Sequence, residues 1–208
     1  MREVLLPAVG IHLDSGNNVM AHLTSFSNFA KTQNKSLSDL RLSANIDPFA
    51  PNAALSLFNE GLEYLAQANA RDIPFGLFRT SGWAWHNRGM TTVQELAYVM
   101  ASLVEIMRGG MARGLDRSDL ASKLSASLAL PADLFDGIAK CRALRRGWAG
   151  IVSALGLDPD LHRLFLQGVV SVRMFSLVDD EVNMLRTTTA LLGGAIGGAD
   201  QLSAHAHD

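Results

Sequence analysis

Short β-like runs alternate with helix-length stretches along the whole chain, and this alternation restricts the fold more than any other feature. Six runs stand out: Val9–Leu13, Arg41–Asn45, Phe75–Thr80, Lys123–Leu128, Val169–Phe175 and Gln201–His207. Their starts are 32, 34, 48, 46 and 32 residues apart, and each gap holds one helix-sized segment. Antiparallel neighbours can be joined by a tight turn, whereas a parallel pair needs a crossover of a dozen or more residues. The spacing therefore predicts an α/β chain of parallel strands with helical crossovers. Small polar residues at Ser43, Ser125, Ser127 and Ser203 suit the centre of a closed barrel, but periodicity alone leaves a doubly wound open sheet standing beside it. A complete (β/α)8 barrel takes about 250 residues, so six units in 208 residues fall short of one.

Three helices are legible in detail. Between Thr91 and Arg108, the residues Val93, Leu96, Ala97, Met100, Leu103, Val104 and Met107 recur every three or four positions, and Gly109-Gly110 supplies a stop. A second runs from about Asp133 to Leu155, preceded by Pro131 and closed by Gly156 and Pro159. The third covers Ala53 to Ala70, entered at Asp47-Pro48 and left through Arg71-Asp72-Ile73-Pro74. No linker or charge run divides the chain, so residues 1–208 read as one domain.

Charge and cysteine content narrow the function classes. Eighteen basic against twenty acidic residues give a net charge of −2, which offers no basic patch for nucleic acid or an acidic membrane. No window approaches the roughly 20 apolar residues of a membrane span, and the N-terminus lacks a signal-peptide pattern. A single cysteine, Cys141, excludes an internal disulfide and reads as a packed helix thiol. A cytoplasmic location is expected.

Ser81-Gly82-Trp83-Ala84-Trp85-His86-Asn87-Arg88-Gly89 is the most unusual stretch, crowding two Trp, a His and an Arg into a strand-to-helix turn. In parallel α/β folds ligands bind at that end of the strands. An aromatic cover on the rim, or a subunit contact, explains the stretch equally well. His205 and His207 share one face of the last strand; a strand end lining a pocket is the better reading than a metal site, because no third ligand is evident. Gly193-Gly194-Ala195-Ile196-Gly197-Gly198 closes a helix and precedes a strand, the reverse of a phosphate loop, and reads as tight packing. Asp179-Asp180-Glu181 reads as a helix entry.

With these residues in place, the chain resembles the methylmalonyl-CoA mutase family, and within it the small (beta) subunits of heterodimeric enzymes. The resemblance is carried by Arg79-Thr80-Ser81-Gly82 through His86 and Gly89, and by Gln94-Glu95-Leu96-Ala97-Tyr98. It continues in Ile138-Ala139-Lys140-Cys141-Arg142-Ala143-Leu144-Arg145-Arg146-Gly147-Trp148. It closes in Val182-Asn183-Met184-Leu185-Arg186-Thr187-Thr188 with Gly197-Gly198-Ala199-Asp200. It implies a coenzyme A-binding (β/α)8 TIM barrel, here incomplete with about six βα units, and a reaction interconverting methylmalonyl-CoA and succinyl-CoA. Adenosylcobalamin would supply the radical.

The departures shape what the resemblance implies. Catalytic chains carry Gly-Tyr-His in the strand-end turn, where this chain has Gly82, Trp83 and Ala84; Trp85-His86 matches the Tyr-His of small subunits. Ala44 stands at a substrate-contacting Gln, Lys123 replaces an Arg, and Ser125 matches. The Asp-x-His-x-x-Gly motif of the cobalamin-binding domain is not found, so adenosylcobalamin is expected on the holoenzyme and not on this chain. The implied role is a non-catalytic subunit that stabilises a catalytic large (alpha) subunit, with no catalytic residue and no metal of its own. Acyl-CoA is the candidate ligand, and Trp83, Trp85, His86, Lys123, Ser125 and His205 are the candidate substrate-binding residues. The alternatives are an independently active barrel enzyme on another acyl-CoA or small substrate, and a truncated product without independent function.

Overall fold

A computed structural model describes residues 9–13, 16–37, 40–68 and 76–206. Six strands are present: β1 (Gly10–His12), β2 (Arg41–Ile46), β3 (Gly76–Ser81), β4 (Leu124–Leu130), β5 (Phe165–Val170) and β6 (Gln201–Ser203). Between them lie α1 (Val19–Thr32), α2 (Leu57–Gln67), α3 (Trp83–His86), α4 (Thr92–Met111), α5 (Arg117–Ser122), α6 (Leu134–Ala154) and α7 (Glu181–Gly197). The strands are parallel and pair in the order β1-β2-β3-β4-β5-β6. A doubly wound sheet reverses its strand order at a switch point. The strictly sequential order here is the topology of an incomplete (β/α)8 barrel, with about six βα units.

The chain forms two compact units, Met1–Thr80 with Glu105–Ser125, and Ser81–Val104 with Ala126–Asp208. In the first, β1 pairs with β2 through Gly10↔Arg41, Ile11↔Leu42 and His12↔Ser43, and the ladder ends with Leu13 N–H donating to Ser43 O at 2.9 Å. The β2–β3 register shifts between Ser43 and Ile46, where Asn45 adopts φ 55°, a left-handed conformation that Asn tolerates better than most residues. Phe78 N–H donates to Lys123 O at 3.0 Å, which starts the β3–β4 ladder. Leu42, Ala44, Ile46, Leu62, Leu77 and Phe78 are fully buried, and the Phe78 ring lies against Gly61 of α2.

In the second unit the β3–β4 ladder continues with Gly82 N–H to Ser127 O at 2.9 Å, four residues further along both strands, as a parallel pair requires. All seven residues of β4 are buried. Helix α6 opens on Asp133, whose carboxylate accepts from Asp136 N, and it buries Cys141, Leu144, Trp148 and Val152 at spacings of three and four. Asp200 anchors β6 to β5: its carboxylate accepts from Arg145 Nη2, Arg163 Nη2 and Leu166 N at 2.8, 2.9 and 2.8 Å.

The glycine-rich end of α7 is packing, as its sequence position indicates. A Cβ on Gly193 would lie 3.1 Å from Leu134 O, a backbone atom that cannot move aside, so α6 and α7 meet almost backbone to backbone. Gly198 ends the helix with φ 86°, and Arg145 donates to its carbonyl.

Four of the expected strands are found with small shifts at their ends, β1, β2, β3 and β4, and β6 starts at the expected Gln201. Phe75 and His207 lie outside the described residues. The fifth strand is Phe165–Val170, not Val169–Phe175. The valine-rich Val169-Val170-Ser171-Val172 reads as strand. The chain nevertheless leaves the sheet after Ser171 N–H donates to Leu130 O, and Val172–Met174 forms a single tight helical turn. The apolar stripe of α4 is also rotated: Val93 is 75% exposed, while Glu95, Val99, Ser102, Leu103, Ile106 and Met107 are buried.

Candidate functional site

The strand-end turn that follows β3 lies in the second unit and is the most elaborately held segment there. Gly82 begins it and Trp83–His86 form the one-turn helix α3. Asn87 links it to the exit of β5: its Oδ1 accepts from Ser171 Oγ and Arg173 N, both at 3.2 Å. Arg173 Nη1 donates back to His86 O at 3.0 Å and to Met90 O at 3.2 Å.

Under this turn sits a buried group of charges. Glu95, on the first turn of α4, is 0% exposed, and its Oε1 accepts from Ala129 N of β4 at 2.8 Å. Its Oε2 accepts from Lys140 Nζ of α6, and Lys140 also donates to Ala129 O at 2.7 Å. His86 Nδ1 lies 3.0 Å from the same Oε2, out of line for a straight N–H···O bond. Burial drives the Glu95 carboxyl upward, but the His86 contact, the Lys140 ammonium and the Ala129 N–H outweigh it, so its pKa lies below the ordinary glutamate value. The carboxylate explains Gly82: a Cβ there would lie 2.5 Å from Glu95 Cγ. Three elements, the turn, β4 and α6, thus converge on one side chain.

A carboxyl whose folded pKa is depressed contributes stability above its unfolded pKa and loses it as pH falls through the folded value. The cluster should therefore hold full strength above about pH 4.5, the ordinary value, and weaken below it. Urea melts from pH 7 to pH 3 should show this loss, and Glu95→Gln should flatten it. Equal acid sensitivity in the two proteins would remove Glu95 from the explanation.

The six residues singled out in the sequence are not brought together as one pocket. Trp83 and His205 meet: their rings stack at 5.4 Å with 29° between planes, and Trp83 Nε1 donates to Val170 O at 2.9 Å. Trp85 goes elsewhere, against Tyr98 at 5.6 Å and under the Arg88 guanidinium at 5.7 Å. His86 is 4% exposed and faces Glu95. Lys123 and Ser125 belong to the first unit and stand at the amino-terminal end of β4, not at a carboxyl-terminal strand end. Burial lowers the Lys123 pKa, with Asp119 acting in the opposite direction. Ser125 Oγ donates to Phe78 O at 2.9 Å, Ser127 Oγ to Ser81 Oγ at 2.8 Å, and Gln167 Nε2 to Ser203 Oγ at 2.9 Å. These small polar residues join neighbouring strands across their side chains. Cys141 is buried, and burial raises its pKa against the pull of Lys140 and Arg145, so it stays a thiol.

Sequence reasoning quoted Glu95 and Lys140 only inside longer motifs and missed what they do. Their signal was a charged residue within an otherwise apolar helix period: Glu95 one position from Leu96, and Lys140 beside Cys141.

A corrinoid's metal takes an accessible imidazole, and His86, the imidazole of the strand-end turn, is too buried to supply one. His86 is closed in against Glu95, the His205 ring is stacked on Trp83, and His162 Nδ1 sits 2.9 Å from Asp158 O, while His12 and His22 are exposed. Among the described residues no three His, Cys, Asp or Glu side chains gather as a metal-holding group.

Sequential parallel strands with a strand-end turn fixed from beneath place the chain in the class of barrel-type α/β proteins. The methylmalonyl-CoA mutase family model matches residues 24–208, and the chain belongs to that family. It is similar to the probable methylmalonyl-CoA mutase small subunit of Mycobacterium tuberculosis, with 39% identity over 61% of this chain and 20% of the relative. It is similar to the small subunit of Streptomyces virginiae, at 38% over 57% of this chain and 19% of the relative. It is also similar to that of Propionibacterium freudenreichii, at 27% over 98% of this chain and 32% of the relative. The chain thus spans between a fifth and a third of the length of these relatives.

Proposed function

We propose that this chain is a non-catalytic, small-subunit-type barrel segment of an adenosylcobalamin-dependent methylmalonyl-CoA mutase, working in the cytoplasm and stabilising a catalytic large subunit. The observation that carries the reading is the strand-end turn, whose polar groups are spent on the protein itself. Trp83 Nε1 is bonded to Val170 O, His86 faces Glu95, and Asn87 is held by Ser171 and Arg173. Ala84 stands at the position where the family's catalytic chains carry the imidazole that polarises the thioester. The relatives point to the partner, because a small subunit implies a large one. Acyl-CoA is then a ligand of the assembly, and Trp83, Trp85, His86 and His205 serve here as structural groups.

Purified chain supplied with adenosylcobalamin and methylmalonyl-CoA should form no succinyl-CoA above background. Loss of one preorganised donor costs about 10²–10³ in rate. Measurable succinyl-CoA would refute the non-catalytic role. Robust turnover of a different acyl-CoA would instead favour an independently active enzyme.

The surface for the partner is the outer side of α7. Leu185, Leu192 and Ile196 share one side of the helix at spacings of seven and four and are 69, 49 and 48% exposed. Large apolar side chains left exposed on one helix side suit an interaction face. The double variant Leu185→Glu/Ile196→Glu should abolish co-purification with the cognate large subunit. Its own melting should change little, because exposed substitutions usually shift stability by no more than about 0.5 kcal/mol. Unchanged co-purification would place the partner elsewhere.

A further inference from the structure

Trp83 makes contacts that a simple rim residue would not. It is rooted directly after β3, bonded through Nε1 to Val170 O at the end of β5, and stacked on His205 just past the end of β6. In the sheet order β4 lies between β3 and β5, so the indole spans the carboxyl end of β4. The links from Asn87 and Arg173 to the neighbouring loops hold the turn in that position. In parallel α/β sheets this end of the strands receives ligands.

We infer that Trp83 is a built-in occupant of a latent strand-end site, which in its absence takes a planar heteroaromatic ring bearing an N–H donor. The Val170 carbonyl accepts the N–H, and the His205 ring offers a face for stacking. Trp85 is two residues away but packs on Tyr98 and under Arg88, so the two tryptophans are not equivalent. The inference stands on the strand-end geometry and does not depend on the subunit role proposed above.

The test is ring rescue in the full chain, with indole as the probe. Trp83→Ala should melt at a lower temperature than wild type, and millimolar indole should raise its melting temperature while leaving wild type and Trp85→Ala unmoved. 1-Methylindole, which keeps the ring and loses the donor, should bind up to about tenfold more weakly, the worth of one hydrogen bond. The His205 ring-proton resonance gives a second readout: shifted upfield by the indole in wild type, released in Trp83→Ala, and shifted again on adding indole. The idea is overturned if folded Trp83→Ala binds no indole, if wild type binds it as tightly, or if 1-methylindole binds equally well. Should Trp83→Ala fail to fold, wild type and Trp83→Phe decide. An upfield His205 signal in wild type that moves in Trp83→Phe supports the stack, and a signal at the free-histidine position in wild type overturns it.

Discussion

Replacing Glu95 by glutamine should unfold this protein more readily than any exposed substitution, by about 3–5 kcal/mol. The carboxylate is fully buried and carries Lys140, Ala129 N and His86 on two oxygens. Glutamine can still accept from Ala129 N but leaves the Lys140 ammonium in the interior without a counter-charge. That is the costly half of breaking a buried pair. Native domains are stable by only about 5–15 kcal/mol, so the variant should melt on the order of 10 °C lower. Pairing it with Lys140→Met removes the stranded charge as well, and the double variant should recover most of the loss, a coupling that a double-mutant cycle measures directly. The exposed Glu105–Arg108 pair, at 3.6 Å with both side chains more than half exposed, is the internal control. Its removal should cost no more than about 0.5 kcal/mol. Strictly additive single effects at Glu95 and Lys140 would show that the two do not act as a pair.

The same cluster shows where the sequence was legible and where it was not. Strand–helix alternation reports only chain period and spacing, and those set the parallel, sequential topology. The valine-rich run Val169-Val170-Ser171-Val172 misled because strand preference describes fit to a pleated surface and not where the pleat stops. The stop was set by tertiary contacts: Ser171 N–H on Leu130 O, and Asn87 on Ser171 and Arg173. The stripe of α4 was misjudged for a related reason. A glutamate in a helix normally faces water, and Glu95 faces inward only because Lys140, 45 positions away, supplies the opposite charge. No local pattern encodes that pairing. Among the candidate residues, proximity in sequence grouped Trp83, Trp85 and His86 on the strand-end turn. It could not show that Trp83 reaches His205 while Trp85 turns toward Tyr98.

The blocks that carried the family resemblance hold this fold together, and the largest single packing loss is expected in one of them. Trp148→Ala should cost about 3–5 kcal/mol, the range for removing a large aromatic from a packed core. Trp148 is 1% exposed in the middle of α6, and its Nε1 donates to His162 O at 2.7 Å, so the deletion leaves both a cavity and a carbonyl without its donor. Trp148→Phe keeps most of the ring volume and loses the N–H, and should cost roughly 1–3 kcal/mol through the unsatisfied carbonyl. Urea melts of the two variants separate packing from hydrogen bonding, and near-equal losses would assign the effect to the hydrogen bond. In the same block Lys140 holds Glu95, and Arg145 holds Gly198 O, Leu164 O and Asp200. In the next, Asn183 closes the loop before α7 by accepting from Ser176 N and donating to Ser176 O, both at 2.9 Å. Stability losses at Trp148 and Glu95, beside absent turnover in wild type, are the combination that the proposed non-catalytic role requires.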